Sequence, residues 1–144
     1  MTEMQSKVRD FHEAMGTLPV PRTPVSLSQY NGDLRCALIE EEAQEFRDAW
    51  RTRDRLEMID ALCDLLYVTV GAAVEMGIDL APFFDEVHAS NMRKAGGPMR
   101  ADGKHLKPPG WTPPDLQRVY WDRYDPDPDD PQGREPSLPL EGRP

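Results

Sequence analysis

The stretch that decides the fold is Glu41-Glu42-Ala43-Gln44-Glu45, followed a few turns later by Glu57-Met58-Ile59-Asp60-Ala61-Leu62-Cys63-Asp64. Both segments sit in patterns that otherwise place apolar residues on the inner side of a helix. Acidic side chains at such positions need a cationic partner, because an unpaired charge in an apolar setting is costly. Few basic residues are close in sequence, so the pattern indicates that these acids bind a divalent metal ion.

Length and charge narrow the class of protein. A chain of 144 residues suits one compact domain, and we expect a helical domain over residues 1–122 and a disordered Pro/Asp-rich tail over 123–144. The net charge of -9 argues against a nucleic-acid binder and against a membrane protein held by charge. No signal peptide or membrane-spanning run is apparent, so the expected location is the cytoplasm. Cys36 and Cys63 lie in helical patterns and are expected to be buried thiols.

Apolar periodicity predicts an all-α fold that resembles a four-helix bundle, with an irregular Pro/Gly-rich C-terminal segment. Thr2 and Gly16 bound the first helix, and the prolines between residues 18 and 24 predict an extended connector. The second helix is predicted from residue 26 or 28 to 50, with a loose start at Asn31-Gly32. The remaining helices are predicted from 55 to 76, from Asp79 onward, and from 115 to about 121.

The second helix carries the first acidic segment on its inner side. At 100° per residue Glu42 and Glu45 fall within the apolar arc, Glu41 lies at its edge, and Glu40 points away. A solvated charge run is the alternative interpretation. Like charges one turn apart on an inner arc destabilise a helix unless an ion bridges them, which favours a metal site.

The third helix is apolar around nearly its whole circumference and is expected to be buried almost all round. Its acids Glu57, Asp60 and Asp64 form one narrow stripe at i, i+3 and i+7, which Val68 and Gly71 continue. The stripe could instead be the solvent edge of a core helix. The short turn after Arg51 predicts that helices two and three are antiparallel neighbours, so that both sets of acids oppose each other.

An all-carboxylate set selects hard ions, so we expect Mg²⁺, with Mn²⁺ as the alternative, and not Zn²⁺. A basic region follows helix four. Asn91 and Lys94 lie one turn apart, and Lys104 and Lys107 follow in a glycine-rich loop, where they could bind the phosphates of a polyphosphate or simply form a basic surface. Trp111 is expected to anchor the segment after this loop.

These motifs together resemble the all-α nucleoside triphosphate pyrophosphatases of the MazG-like and phosphoribosyl-ATP pyrophosphohydrolase-like type, closest to MazG-like dUTP pyrophosphatases. The hallmark of that group is E-E-x-x-E followed by E-x-x-D. The similarity spans about residues 8–116 and includes Phe11-His-Glu-Ala-Met-Gly16, Asp64-Leu-Leu-Tyr67 and Ala101-Asp-Gly-Lys104-His-Leu-Lys107-Pro-Pro-Gly-Trp111.

One position departs from the family pattern. MazG-type enzymes place Glu three residues before the Asp of the D-L-L-Y-like run, and this chain has Ala61 there. Two registers remain open: either Glu57 and Asp60 form the E-x-x-D pair, or Asp64 is the family Asp and Asp60 replaces the missing Glu. We rank Asp64 and Asp60 above Glu57 as metal ligands.

The resemblance implies a Mg²⁺-dependent hydrolysis of a nucleoside triphosphate to the monophosphate and pyrophosphate, by attack of water on the α-phosphorus. Glu41, Glu45 and Asp64 would hold the metal, and Glu42 would be the catalytic base or a further ligand. Lys94, Lys104 and Lys107 would bind phosphates, and Asn91 the sugar, base or a metal-bound water.

Two other functions stay open: hydrolysis of phosphoribosyl-ATP, and a metal-binding helical oligomer without turnover. The apolar third helix also predicts a homodimer, with a tetramer as the alternative.

Overall fold

The computed structural model describes residues 2–16 and 20–124, and within them the secondary structure is helical. It comprises α1 (Glu3–Met15), a 3₁₀ turn (Leu27–Gln29), α2 (Gly32–Thr52), α3 (Arg55–Glu75), α4 (Leu80–Met92) and α5 (Leu116–Tyr124). The predicted all-α fold is confirmed, and its helices begin and end close to the predicted residues. The predicted disordered tail falls almost entirely on residues 125–144, which lie outside the described part.

The helix ends follow from local side-chain chemistry. The Thr2 hydroxyl accepts a hydrogen bond from Gln5 N at the start of α1, and Gly16 ends that helix in the left-handed conformation at φ 65°. The predicted second helix begins at its expected loose point, Asn31-Gly32, and does not include the residues before it. Tyr30 is extended and the Asn31 side chain caps a new start by accepting from Leu34 N, so the residues before it form a separate 3₁₀ turn.

Helices α2 and α3 are antiparallel neighbours and make the most extensive helix-to-helix contact among the described residues. They are joined by Arg53, which takes the left-handed conformation at φ 60°, and by Asp54, whose side chain accepts from Leu56 N and Glu57 N. This tight link confirms the predicted pairing of the two helices that carry the acids.

The described chain divides into two compact units, the first ending at Asp85 and the second beginning at Glu86. In the first unit α1 packs on α3 around Val8 and a run of buried small residues near the end of α3. The fully buried Gln5 ties this core together, because its side chain donates to Ile78 O and accepts from Leu80 N. A buried amide satisfied on both sides fixes the turn between α3 and α4.

The connector before α2 is fixed to the end of α3. Val25 N donates to Met76 O, and Gly77 adopts φ 72° directly beneath this contact. A Cβ at Gly77 would lie 2.0 Å from Thr23 O. Only glycine fits this close approach of two backbones.

The prediction that α3 is buried almost all round is wrong for a single chain. Leu56 is 76 % exposed and Leu66 is 54 % exposed, and Ile59 and Leu62 are exposed as well. The buried residues of α3 are mostly small, such as Ala61 and Ala72, whereas several of its large residues are exposed. The expectation of buried thiols is wrong for the same reason, because Cys36 and Cys63 are both exposed.

The second unit is organised around Trp111. Its indole N–H donates to Ser90 O, and the buried Ser90 hydroxyl donates to Thr112 O, so the segment after the basic loop is held on α4 by two hydrogen bonds. Trp111 is thus the anchor that the sequence predicts. Glu86 binds the start of α5 through Asp115 N and through Arg118.

Within the described residues, no helix has the length and apolar character that crossing a membrane requires.

Candidate functional site

The acids of the first unit gather around Glu42. This residue is half-buried on α2, whereas Glu41, Glu45, Asp60 and Asp64 are exposed. Its carboxylate oxygen Oε2 is buried and has no hydrogen-bond partner. A buried carboxylate oxygen without a partner is costly, so this atom marks the point where the cluster lacks a cation or a donor.

The electrostatic surroundings of Glu42 indicate which acids of α2 and α3 lie near it. The pKa of Glu42 is raised above the ordinary value of a glutamate, first by loss of hydration. The negative charges of four neighbours raise this pKa further, and in decreasing order these are Glu45, Asp64, Glu41 and Asp60. Antiparallel packing of α2 on α3 therefore does bring the two acidic segments together.

Glu57 differs from the other acids of its stripe. It lies exposed in the first turn of α3, where its backbone N–H is capped by Asp54, and its charge is not among those that act on Glu42. Ala61, which stands at the position of the family glutamate, is buried. The exposed Asp60 and Asp64 thus lie one turn apart, and this buried small residue lies to one side of both.

The residues present are chemically suited to a hard divalent ion, because the cluster offers carboxylate oxygens only and holds one buried oxygen in need of a positive partner. As they stand, no three acid, histidine or cysteine side chains of the described residues are grouped closely enough to hold an ion. The carboxylates of Glu41, Glu45, Asp60 and Asp64 are exposed and free to change rotamer. The predicted metal site stays a prediction.

The predicted phosphate-binding residues lie in the second unit. Lys94 Nζ donates to Asn91 Oδ1 at 2.8 Å, as their one-turn spacing suggests. The ammonium groups of Lys94 and Lys107 lie 5.5 and 4.4 Å from the centre of the Trp111 ring. Lys104 is not part of this group: it is exposed in the turn that the backbone pairing of Met99 with His105 closes.

The first unit also contains a second polar cluster, which the sequence patterns did not predict. Arg35 of α2 forms a two-pronged ion pair with Glu75 of α3 through Nε and Nη2. His12 of α1 lies beside it, with Nδ1 3.7 Å from Glu75 Oε1. These residues line a cavity of about 800 Å³. The available signal was that Glu75 belongs to the same arc of α3 as Asp60 and Asp64.

Comparison with known proteins identifies a matching family. The family model described as phosphoribosyl-ATP pyrophosphohydrolase matches residues 8–91, a span that contains both acidic segments and ends at Asn91. No curated protein matches the chain.

Proposed function

The chain belongs to the phosphoribosyl-ATP pyrophosphohydrolase family, which makes it a nucleotide pyrophosphohydrolase in kind, and on that premise we propose that it hydrolyses a nucleoside triphosphate to the monophosphate and pyrophosphate. A deoxynucleotide of the dUTP or dCTP type is the proposed substrate, with control of the nucleotide pool as the role. The observation that carries the proposal is the buried, unpartnered oxygen of Glu42 together with the four neighbouring carboxylates whose charges act on it.

The proposed metal is Mg²⁺, with Mn²⁺ as a substitute. Glu41, Glu45, Asp60 and Asp64 would hold it, since their charges are those that act on Glu42. Glu57 is the weakest candidate, because it does not act on Glu42. When bound, the ion supplies positive charge that offsets the charge of the phosphates.

Glu42 is the proposed general base. The pKa of Glu42 is raised toward neutral pH, and a general base works best when its pKa lies near the pH of the reaction. In the proposed reaction Glu42 takes a proton from a water molecule as the water oxygen bonds to the α-phosphorus. The bond from that phosphorus to the bridging oxygen breaks on the opposite side, and pyrophosphate leaves with the electron pair.

Lys94, Lys104 and Lys107 are proposed to bind phosphate oxygens, and Asn91 to bind the sugar, the base or a water. Support comes from the chemistry of this segment, where lysines outnumber acids, and from the Trp111 ring that holds two of the ammonium groups. Lysine-to-alanine variants should raise KM more than they lower kcat if these residues bind phosphate.

Hydrolysis of phosphoribosyl-ATP is the second candidate, favoured by the description of the matching family. One experiment separates the candidates: pyrophosphate release measured with Mg²⁺ on a panel of ribo- and deoxynucleoside triphosphates together with phosphoribosyl-ATP. Release from a deoxynucleotide supports the proposal, and release from phosphoribosyl-ATP alone moves the function to the second candidate. Binding of Mg²⁺ without release from any nucleotide would leave a metal-binding module without turnover.

A homodimer is the proposed assembly. The exposed residues Leu56, Ile59, Cys63 and Leu66 follow i, i+3, i+7 and i+10 on α3 and form a continuous apolar stripe. A second copy of the same helix matches such a stripe, because two-fold pairing places identical apolar surfaces together. Sedimentation at micromolar concentration tests this: a monomer would reject it, and a tetramer would replace it.

A further inference from the structure

A cavity of about 800 Å³ lies in the first unit between α1, the segment before α2, and the facing ends of α2 and α3. Its walls are largely apolar and include the rings of Phe11 and Tyr30 and the side chains of Met15 and Leu34. Phe11, Met15 and Leu34 are each about half exposed in spite of being large and apolar. A concave apolar surface of this size is typical of a site for a small organic ligand.

One end of the cavity is polar and fixed. Arg35 is only 11 % exposed, and Glu75 accepts from its Nε and Nη2 atoms, which locks the guanidinium plane. Its remaining nitrogen, Nη1, has no hydrogen-bond partner among the described residues. Because guanidinium groups only donate hydrogen bonds, this nitrogen offers two N–H groups to a ligand that carries an acceptor.

Gly71 permits this arrangement. A Cβ at this position would lie 3.2 Å from His12 Nε2 and 3.4 Å from Arg35 Nη1. The absence of a side chain lets both polar groups settle on the surface of α3. The pKa of His12 is lowered by burial and by the charge of Arg35, against the opposing effect of Glu75, so the imidazole is neutral at pH 7.

The cavity continues the face of α3 that carries the acids. At 100° per residue Asp64, Gly71 and Glu75 share one arc, and Glu75 lies about 16 Å along the axis from Asp64. Arg35 lies two turns, or about 10 Å, before Glu42 on α2. The Phe11 ring meets Tyr67 edge-on at 5.6 Å, and Tyr67 is one turn from Asp64, so the apolar wall extends toward the acids. These separations are comparable with the reach of a nucleoside triphosphate.

We propose that this cavity binds the base and sugar of the substrate nucleotide, and that Arg35, positioned by Glu75, donates to a carbonyl oxygen of the base. Such a site rests on the proposed function, since it takes the other end of the same nucleotide. Uracil and thymine present two carbonyl oxygens and guanine presents one beside N7, which suits a guanidinium, whereas adenine presents none. The site therefore favours keto bases and disfavours adenine.

Arg35→Lys tests this role, because it keeps the charge opposite Glu75 but loses the planar fork. With Mg²⁺ and wild-type protein, KM should be lower for dUTP or dGTP than for dATP. The variant should raise KM for the preferred keto base about tenfold with little change in kcat, and should change KM for dATP much less. Competitive inhibition by inorganic triphosphate, which has no base, should be unchanged. Arg51→Lys is the matched control, because Arg51 lies on the same helix and forms an exposed ion pair with Asp48.

Gly71→Ala is the second variant, since the added methyl would press on His12 Nε2 and touch Arg35 Nη1, which crowds both groups without removing a charge. It should raise the same KM, and circular dichroism verifies that each variant is folded. Unchanged KM for every nucleotide in both folded variants, with turnover intact, would overturn the cavity site and leave the proposed function standing.

If wild-type protein released no pyrophosphate from any nucleotide, the proposed function would fail first. Direct binding of dUMP, measured by calorimetry on the intact chain, then decides the cavity site. Binding that Arg35→Lys weakens about tenfold supports it, and the absence of binding overturns it.

Discussion

Replacing Glu42 with glutamine should stabilise the metal-free protein while removing most of its turnover. The substitution keeps the shape of the side chain and deletes one negative charge at the centre of the acid cluster. The wild-type charge is unfavourable there, because Oε2 is buried without a partner and the four neighbouring acids repel it.

The size of the expected increase in stability follows from the acids that neighbour Glu42. A like-charge contact on a helix surface costs about 0.2–0.5 kcal/mol, and Glu45, Asp64 and Glu41 are the three strongest. Relief of these contacts amounts to about 1 kcal/mol, which corresponds to about 3–6 °C in Tm for a domain of this size.

The increase in stability of Glu42→Gln over wild-type protein should depend on pH. Because the folded-state pKa of Glu42 is raised, the folded protein binds more protons than the unfolded chain between the ordinary glutamate pKa and the raised value. Wild-type stability therefore falls as pH rises through that window and stays lowered above it. The advantage of Glu42→Gln should be present at pH 7 and should disappear well below the ordinary pKa, where Glu42 is protonated in both states.

Thermal unfolding followed by circular dichroism in a chelator, at pH 7 and at low pH, measures this gain. Glu40→Gln is the matched control, since Glu40 is an exposed acid on the outer side of the same helix. Added Mg²⁺ should raise the Tm of wild-type protein at pH 7, and pyrophosphate release by Glu42→Gln should be lost. Equal Tm values for wild type and Glu42→Gln at pH 7, or a gain matched by Glu40→Gln, would refute the electrostatic reasoning.

Three further predictions concern the scaffold, the assembly and the basic loop. Gly77→Ala should lower the free energy of unfolding, measured by urea titration, by about 2–4 kcal/mol, because its methyl group would clash with Thr23 O. Gly103→Ala is the control: this glycine has φ 89° and open space around it, so the variant should lower the free energy of unfolding by only about 1 kcal/mol. Leu66→Asp should convert a dimer to monomers in sedimentation, which an unchanged sedimentation coefficient would contradict. Trp111→Phe keeps an aromatic ring but loses the hydrogen bond from the indole N–H to Ser90 O. It should therefore raise KM for nucleotide less than Trp111→Ala does. Equal effects of the two variants on KM would show that the aromatic ring has no part in binding.

The sequence predicted the features that depend on local chemistry. Thr2 and Gly16 bound α1 because a hydroxyl cap and a left-handed glycine act within one turn, and α2 pairs with α3 because the link is too short for another arrangement. Convergence of the acids followed from that pairing. The same local logic placed a loose start at Asn31-Gly32 but did not predict that Asn31 caps a separate helix there.

Features that depend on distant residues were not predictable in the same way. Arg35 and Glu75 are forty residues apart, and His12 joins them from another helix, so no spacing rule reveals their contact. Exposure on α3 was also misjudged. An apolar circumference shows what a helix could bury, but the number of neighbouring elements decides what a single chain does bury, and this leaves Leu56 and Leu66 in solvent.

Helix α3 carries the acid cluster on one face and the exposed apolar stripe on another. The acids and Gly71 lie on one arc, which leads into the cavity, whereas the exposed stripe from Leu56 to Leu66 lies about 120° away at 100° per residue. Because the buried residues Ala61 and Ala72 lie on the far side of the acid arc from this stripe, a partner on the stripe would not need to displace the acid cluster. It follows that a charge placed on the stripe should disrupt the dimer. Inhibition of pyrophosphate release by inorganic triphosphate should be unchanged in the resulting monomers. If the monomers instead lost that inhibition along with assembly, the stripe and the acid arc would have to act as one site shared between two copies.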